Sequence, residues 1–354
     1  MKPSKILAIE TSCDESAAAI VSNENNLAKV HSSVIWSQAQ IHEKFGGVVP
    51  EVASRSHLDR ISEVIDKAIK DANCKVSDLC AIAVTNKPGL VGALLVGVST
   101  AKTLSYCLNL PLICVDHLEG HLHSIFIEDE TMKKIDDSHL PLLACLVSGG
   151  HTCLYLIRDL PPKDLNLLKI SESRDDAAGE AFDKTAKLLG LPYPGGILMD
   201  QYSKKGNKKA HVFPSPLPGD NIEFSFSGIK TAVATKLKTD GYEPHLWGPI
   251  DVENLPKDQD LWNYCASIQE AIVQTLNRKI DLAIKKYKVK GLAVVGGVSA
   301  NSRFRELLLE KRVPVFLPNL KYCTDNAAMI GAAALFKFER NEVLLNEQKI
   351  RASV

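Results

Sequence analysis

A chain of 354 residues is long enough to form two domains with separate hydrophobic cores. It is 45% hydrophobic and 24% charged, and its 42 basic residues balance 42 acidic ones, so it lacks the basic excess that is usual in nucleic-acid-binding domains. The nine cysteines form no Cys-x-x-Cys pair, and no uncharged apolar run has membrane-spanning length. Because the first residues lead directly into a predicted strand, we expect a cytoplasmic protein with no signal peptide, disulfide framework or membrane partner.

Short apolar runs that end in small or polar residues predict β-strands, and longer stretches between them predict helices. The predicted strands are 6–9, 81–84, 142–147 and 291–295. The predicted helices are 56–73, 92–108, 179–189, 262–287 and 300–311. This alternation indicates α/β layers. Because strands 6–9 and 142–147 open similar units, the sequence predicts a duplicated architecture with a ligand cleft between two halves.

The first predicted strand runs into a polar segment, residues 10–16, which read Glu-Thr-Ser-Cys-Asp-Glu-Ser. A solvated turn would explain such a segment, but four hydrogen-bonding or acidic groups at the end of a strand favour a ligand-binding edge. Asp14 and Glu15 are therefore candidates for handling a proton or for ordering a substrate amine.

Residues 117–121 read His-Leu-Glu-Gly-His. On a helix, His117 and His121 lie within about 40° of each other and can reach one metal ion. A metallopeptidase of this spacing needs its glutamate directly after the first histidine, where this chain has Leu118. Glu119 lies about 200° around the helix from His117, off the metal-binding face. The histidine pair therefore predicts a metal site but gives little support to peptidase chemistry.

Two predicted strands lead into adjacent glycines, in Ser148-Gly149-Gly150 and at 296–297. Each pair taken alone would be typical of a tight turn, but the repeated pattern favours backbone N–H groups that bind a phosphate. Asn301, after the second pair, is a candidate ligand-binding residue. The named fingerprints are missing: there is no G-x-G-x-x-G, Val98 stands where a P-loop needs lysine, and Leu146 stands where a hydrolase elbow needs glycine.

Several acidic residues follow predicted turns or open predicted helices. Asp175 and Asp176 are as well explained by the dipole of a helix N-terminus as by a ligand, whereas Asp183 lies deeper in the same predicted helix. Asp200 follows a Pro-Gly-Gly turn and could reach a ribose. Asp325 opens a helix of small residues; alone it would be an N-cap, but with the two histidines it could complete a two-histidine, one-carboxylate metal site.

Together these motifs closely resemble the bacterial TsaD family, the tRNA adenosine threonylcarbamoyltransferases that were formerly called O-sialoglycoprotein endopeptidases. The matching motifs occur in the order of the family from residue 6 to about residue 335. They are residues 9–15, 46–51, 88–92, 117–121, 146–151, 175–184, 224–228, 296–301 and 323–326.

The resemblance implies two actin-like (sugar-kinase-like) α/β domains around a nucleotide cleft, one formed by residues 1–137 with about 327–354 and the other by 138–326. It implies transfer of a threonylcarbamoyl group from threonylcarbamoyl-AMP to the exocyclic amine of the adenosine beside the anticodon. Partners would be tRNA, a paralogous TsaB-like subunit and a small TsaE-like ATPase.

The resemblance also implies roles for particular residues. One divalent metal ion, iron or zinc, would be held by His117, His121 and Asp325. The adenylate would be bound by the glycine loop and the polar residues near it, namely Leu146, Val147, Ser148, Gly149, Gly150, Asp183, Gly196, Asp200 and Asn301.

Three positions depart from the family pattern: Lys87 replaces a usual glycine, Asp116 a usual histidine or asparagine, and Ile197 a usual proline. None is a predicted ligand, so they affect the expected shape of loops and not the assignment. The alternatives to a transferase are a metallopeptidase, suggested by the histidine pair alone, and a nucleotide-binding scaffold without catalysis.

Overall fold

A computed structural model of the chain describes residues 5–129, 134–246 and 252–343. Residues 344–354, which the sequence assigns to the first domain, lie outside the described residues. The strands are β1 (Lys5–Glu10), β2 (Glu15–Glu24), β3 (Leu27–Ser37), β4 (Leu79–Lys87), β5 (Leu112–Asp116), β6 (Leu142–Val147), β7 (Thr152–Ile157), β8 (Leu168–Glu172), β9 (Gly291–Val295) and β10 (Val315–Phe316).

The α-helices alternate with these strands. They are α1 (Ala39–Glu43), α2 (Pro50–Asp71), α3 (Val91–Leu108), α4 (His117–His123), α5 (Ala178–Leu188), α6 (Gly195–Ser203), α7 (Ser227–Thr239), α8 (Asp258–Tyr287), α9 (Ser302–Leu309) and α10 (Ala327–Glu339).

The chain divides into two units, each with its own five-stranded sheet. Unit 1 comprises Met1–Lys134, Asp159–Leu165 and Pro318–Val354, and unit 2 comprises Ile135–Arg158 and Asn166–Leu317. The strand orders are β3-β2-β1-β4-β5 and β10-β9-β6-β7-β8, which describe one topology repeated. In both sheets the first three strands are antiparallel and the later ones pair in parallel. The duplicated architecture predicted from the sequence is therefore confirmed.

Unit 1 is covered on both faces of its sheet. Helices α2 and α3 pack on one face around Ile61, Val98 and Ile82, and α10 packs on the other. Among the described residues, α3 is the one helix whose length and composition would suit a membrane span, with a mean hydropathy of 1.4. It packs against α2 and β4, so it belongs to the layer that covers this sheet.

Unit 2 buries a large core in which α8 runs for 30 residues. Strands β6 and β9 match the predicted ranges 142–147 and 291–295, because both are continuous runs of buried apolar residues. The predicted helix 300–311 begins two residues later than expected: residues 297–300 form a 3₁₀ turn, and Asn301 caps α9 by accepting a hydrogen bond from the Phe304 N–H at 2.9 Å.

Candidate functional site

The two histidines of the metal prediction lie at the start of α4, directly after β5 ends at Asp116. The Asp116 carboxylate caps this helix by accepting hydrogen bonds from the Leu118 N–H at 2.8 Å and the Glu119 N–H at 3.4 Å. The rings of His117 and His121 are 4.7 Å apart between centroids, on one face of the helix. Asp116, one of the three residues that depart from the family pattern, therefore caps the helix that carries both imidazoles.

The other two departures lie outside the histidine pair. Lys87 forms an exposed ion pair with Asp116, at 3.7 Å between Nζ and Oδ2, so two of the unusual residues contact each other. Ile197 is 61% exposed near the start of α6.

Asp325 lies just before α10, the helix that packs against the histidine helix α4. Its Oδ1 lies 3.1 Å from Nε2 of His121 and 3.5 Å from Nε2 of His117, and the three candidate ligand atoms all lie within 4.8 Å of one another. Both histidines are buried. Two imidazoles and one carboxylate with room for further ligands suit iron, and nitrogen and oxygen donors also suit zinc. The donor set therefore fits the predicted metal.

The N-cap of α10 is Asn326, whose side chain accepts a hydrogen bond from the Met329 N–H at 2.9 Å. The ordinary alternative for Asp325, the N-cap of this helix, is therefore filled by its neighbour. Gly120 explains how α4 and α10 come so close: a Cβ there would lie only 2.6 Å from Cδ1 of Ile330. A larger residue at this position would require the Ile330 side chain to move, at the place where α10 packs on the histidine helix.

A carboxylate that the sequence analysis left without a role lies behind His117. Glu10 is fully buried, and its Oε2 is 3.1 Å from Nδ1 of His117 and accepts a hydrogen bond from the Thr85 hydroxyl at 2.6 Å. The Ser12 hydroxyl lies 3.1 Å from the same Nδ1. With Nδ1 held in this way, Nε2 is the atom that faces Asp325, and a carboxylate behind a ligating imidazole is the usual support of a metal site.

The ionisation of these groups is set by their burial and by each other. Burial alone would lower the pKa of His117, but Asp325 and Glu10 outweigh it and raise that pKa to about 9. Burial raises the pKa of Glu10 less than His117 lowers it, so Glu10 remains anionic. Burial lowers the pKa of His121, which keeps that ring neutral and able to donate a lone pair. The carboxylates of Asp325 and Glu10, which raise the pKa of His117, therefore favour positive charge at this place.

The predicted proton-handling residues lie near these groups. Asp14 is buried, and Glu15 opens β2. The pKa of Glu15 is raised well above its ordinary value by burial and by the neighbouring carboxylates of Asp14 and Asp325. The structure thus brings Glu15 close to the candidate metal ligand Asp325. Glu119, the glutamate next to the position where a peptidase would need one, forms an ion pair with Lys337 at 3.0 Å.

The glycine loop of unit 2 follows β6 and is tied to the start of α5. The Gly179 N–H donates to the Ser148 carbonyl at 3.2 Å, and the Glu180 N–H donates to the Gly149 carbonyl at 3.0 Å. Gly149 and Gly150 are exposed, whereas Leu146 and Val147 are fully buried in β6. The part of the predicted adenylate site that is open to a ligand therefore begins at the glycines.

The second glycine loop packs directly on the first. Gly296 has a φ of +92°, and a Cβ on it would lie 2.5 Å from the Val147 carbonyl oxygen. Only glycine accommodates both this backbone conformation and this contact. The structure thus joins the two strand-and-glycine motifs of the sequence into one feature.

The other predicted adenylate residues support helix N-termini beside these loops. Oδ1 of Asp183 accepts from the Gly195 N–H at 2.9 Å and the Gly196 N–H at 3.3 Å. Oδ1 of Asp200 accepts from the Ser302 N–H at 3.1 Å and its hydroxyl at 2.7 Å. Nδ2 of Asn301 donates to Gln269 at 2.6 Å. Their contact with a nucleotide stays a prediction.

Asp175 has a structural role that its position in the sequence did not reveal. It accepts hydrogen bonds from the Phe226 N–H at 2.7 Å and from the hydroxyls of Ser225 and Ser227 at 2.6 and 2.8 Å. These contacts lie at the start of α7, so Asp175 stabilises that helix and not the one that follows it in sequence.

Comparison with known proteins gives one consistent result. Residues 29–332 match the family model described as TsaD, tRNA N6-adenosine threonylcarbamoyltransferase. Two relatives of that name are 46% identical over 340 residues, from Endomicrobium trichonymphae, and 44% identical over 344 residues, from Bdellovibrio bacteriovorus. These alignments cover 94% and 96% of this chain and 92% and 94% of the relatives.

A solved structure, component A of the (R)-2-hydroxyglutaryl-CoA dehydratase of Acidaminococcus fermentans, matches with a TM-score of 0.53 at 15% identity. The match covers 95% of this chain and 99% of that one. At this identity the likeness shows the fold alone, and the predicted class of two actin-like α/β domains is confirmed.

Proposed function

Because the chain belongs to the TsaD family of tRNA N6-adenosine threonylcarbamoyltransferases, we propose that threonylcarbamoyl-AMP donates the group that it transfers to N6 of an adenosine in tRNA. The acceptor is the adenosine next to the anticodon in tRNAs that read codons starting with A. The transfer breaks the bond between the carbamoyl carbon and a phosphate oxygen, forms a bond from that carbon to N6, and releases AMP and a proton. The observation that carries this function is the similarity to relatives along 94–96% of the chain.

We assign one divalent ion, iron or zinc, to His117, His121 and Asp325. When bound, it would act as a Lewis acid and template for oxygens of the acyl-adenylate. Glu10 and Ser12 hold the Nδ1 side of His117 and so keep its Nε2 toward Asp325. The positions of these side chains relative to one another are set by unit 1 alone.

Residues of unit 2 are assigned to the adenylate. The exposed backbone of Gly149 and Gly150 can donate hydrogen bonds to the charge that develops on the departing phosphate. Asp183 and Asp200 order the N-termini of α6 and α9, which favour anions. Gly196 and Asn301 complete the proposed contacts.

The proton that leaves N6 needs an acceptor. Asp14 and Glu15 are the candidates. Burial and the carboxylates of Asp14 and Asp325 raise the pKa of Glu15 well above its ordinary value, so Glu15 gives up its own proton less readily than an ordinary glutamate. We therefore assign the role of acceptor to Asp14.

The partners proposed are tRNA, a paralogous TsaB-like subunit and a TsaE-like ATPase, all in the cytoplasm. Since the net charge is zero, contact with tRNA needs a local group of cations. Lys204, Lys205, Lys208 and Lys209 provide one on the exposed loop after α6.

This lysine loop is held in place by its backbone and by Trp262. The Asn207 N–H donates to Oδ1 of Asn263 at 2.8 Å, and Nζ of Lys205 lies 5.0 Å from the centre of the Trp262 ring. Lys208 and Lys209 are exposed, and neither forms an ion pair with any residue that the structure describes. An anchored loop with exposed lysines suits the phosphates of a nucleic acid.

Replacing both Lys208 and Lys209 with serine is expected to weaken tRNA binding and to reduce the slope of log K against log salt by about 2, since each phosphate contact contributes roughly 0.9. Filter binding or fluorescence anisotropy over a range of salt concentrations measures both quantities. The control is the double variant Lys285→Ser and Lys286→Ser, which removes the same charge from exposed positions at the end of α8. Equal losses in the two double variants would show that the loop has no specific role.

The transferase function is tested by combining the purified chain with its partner proteins, unmodified tRNA and synthetic threonylcarbamoyl-AMP. We expect threonylcarbamoyladenosine in the nucleosides of digested tRNA, measured by mass spectrometry. Binding of the adenylate with no transfer under any combination of partners would instead favour a scaffold. Metal-dependent cleavage of a glycoprotein, lost in Glu119→Ala, would favour a peptidase.

A further inference from the structure

Unit 1 contains a group of buried polar side chains that no step of the proposed reaction uses. Ser16, Gln38, His42 and His57 are all fully buried. His57 lies on the face of α2 that otherwise buries aliphatic residues such as Ile61 and Val64. Burying a polar group is costly unless it is hydrogen-bonded, so a connected set of them at one place needs an explanation.

The hydrogen bonds fix where each proton lies. Nε2 of His57 is 2.9 Å from the Cys13 carbonyl, and since a carbonyl only accepts, Nε2 must carry the proton. Nδ1 of the neutral ring is then an acceptor, and it receives the Ser16 hydroxyl at 2.7 Å and Nε2 of Gln38 at 3.3 Å. One tautomer of His57 therefore satisfies every contact of its ring.

The direction of the two hydrogen bonds of His42 follows in the same way. Because the amide nitrogen of Gln38 faces His57, its Oε1 accepts from Nε2 of His42 at 3.2 Å. Nδ1 of His42 accepts in turn from the Val49 N–H at 3.3 Å. All four bonds run in one direction, from the Val49 N–H through His42, Gln38 and His57 to the Cys13 carbonyl. Burial lowers the pKa of both imidazoles, in agreement with the neutral rings that this arrangement requires.

This series of four hydrogen bonds ends on residues 12–14, the loop that supports the candidate metal site. Three successive carbonyls of this loop each accept a bond from a different element: Leu90 N–H to Ser12 at 2.8 Å, His57 to Cys13 at 2.9 Å, and Gln38 N–H to Asp14 at 3.0 Å. The Ser12 hydroxyl is 3.1 Å from Nδ1 of His117. The loop therefore carries both a support of His117 and the proposed proton acceptor Asp14.

We propose that His42, Gln38 and His57 form a relay that positions the Ser12–Asp14 loop for transfer, with His57 as its main positioning residue. This inference rests on the proposed function, because positioning matters only if the loop takes part in the reaction. The hydrogen bonds of His57 go to Cys13, Ser16 and Gln38 and to none of the three candidate metal ligands, so it acts through the backbone of Cys13 and the side chains that this backbone holds.

The kinetic experiment compares His57→Leu, which removes all three hydrogen bonds of the ring, with His57→Gln, which keeps a donor and an acceptor. In the reconstituted assay, His57→Leu is expected to lower kcat by about 10- to 100-fold with little change in KM for the adenylate, since small misplacements of reacting groups have effects of this size. His57→Gln is expected to retain most of the activity. Ser32→Ala, which deletes a buried hydrogen bond from β3 to the Ala68 carbonyl of α2, is the control for a purely structural loss.

A double-mutant cycle with His42→Leu tests whether the residues act as one unit. If they do, the double variant is little worse than either single variant, because the relay is already broken. The relay would be overturned if the two single losses of kcat multiplied in the double variant, or if His57→Leu had the same kcat as Ser32→Ala. Either result could be obtained while the wild-type protein still catalysed transfer, so it would contradict the relay and not the proposed function.

Nuclear magnetic resonance of histidine labelled with ¹⁵N gives a readout that needs no activity. The relay requires the Nε2–H tautomer at both His42 and His57, and His42→Leu should shift the His57 signals. An Nδ1–H tautomer at either ring would overturn the inference even if transfer itself failed in the assay.

Discussion

Alanine in place of His121 is expected to remove the bound metal ion and to lower tRNA modification on the order of a thousandfold, since a Lewis acid contributes several kcal/mol to the transition state. His121 is fully buried, its Nε2 lies 3.1 Å from Oδ1 of Asp325, and it supplies one of the three candidate ligand atoms that lie within 4.8 Å of one another. Metal content by mass spectrometry and threonylcarbamoyladenosine in digested tRNA measure the two losses separately.

Two further variants test whether the loss of metal depends on the residues that surround the candidate site. Glu10→Gln keeps the shape behind His117 but removes the charge, and it is expected to weaken metal binding by about 10- to 100-fold, as loss of an outer partner usually does. His31→Ala removes an imidazole of unit 1 that is hydrogen-bonded to the Ser22 hydroxyl at 2.8 Å, and it should leave metal content unchanged. Full metal content and full activity in His121→Ala would show that the metal assignment is wrong.

The sequence predicted those parts of the fold whose signal is local. Strands β6 and β9 were predicted at their observed bounds, because each is a short buried run followed by glycine or serine. Strand β2 was not predicted: its alanines have low strand propensity, and it shows no alternation because it is buried on both faces. Helix α2 was predicted to begin at 56 but begins at Pro50, since proline fits the first turn of a helix.

The candidate site was predictable where spacing alone sets geometry and not where packing does. His117 and His121 meet because they are four residues apart on one helix. Asp325 lies 204 residues from His121, and Glu10 lies 107 residues from His117. Only tertiary packing, in which α10 contacts both α4 and β1, brings these side chains together, and one sequence contains no measure of that packing.

The hydrogen-bonding role of His57 is not evident from the burial pattern of α2. The burial pattern of α2 places it on the core face, where a single histidine is typical of ordinary packing. Its partners are Cys13 and Ser16 in the loop and strand before it and Gln38 on the chain between, so its function as a support depends on tertiary contacts. The polar segment 10–16 indicated the loop from the sequence, but it did not indicate which residues hydrogen-bond to the carbonyl groups of that loop.

Alanine at Gly149 is expected to weaken binding of an adenylate analogue at least about tenfold while leaving the fold unchanged, because glycines of such loops allow a phosphate to approach the backbone. A Cβ at Gly149 has no described atom within 4 Å and its backbone does not require glycine. Any loss of affinity, measured by calorimetry, would therefore come from the ligand and not from damage to the protein. Unchanged affinity would remove this loop from the adenylate site.

Alanine at Gly296 should give the opposite pattern. Its φ of +92° and the 2.5 Å separation of a Cβ from the Val147 carbonyl oxygen mean that the backbone itself must move. The strained conformation alone costs about 1–3 kcal/mol of unfolding free energy. Gly228→Ala, whose Cβ would meet only Pro216 at 4.0 Å on α7, is the control for alanine on a helix and should be neutral. If Gly296→Ala keeps full stability, the two loops are not packed as described. If Gly296→Ala loses stability and Gly149→Ala loses only affinity, the loop of Gly296 supports the loop of Gly149, and the loop of Gly149 contacts the ligand.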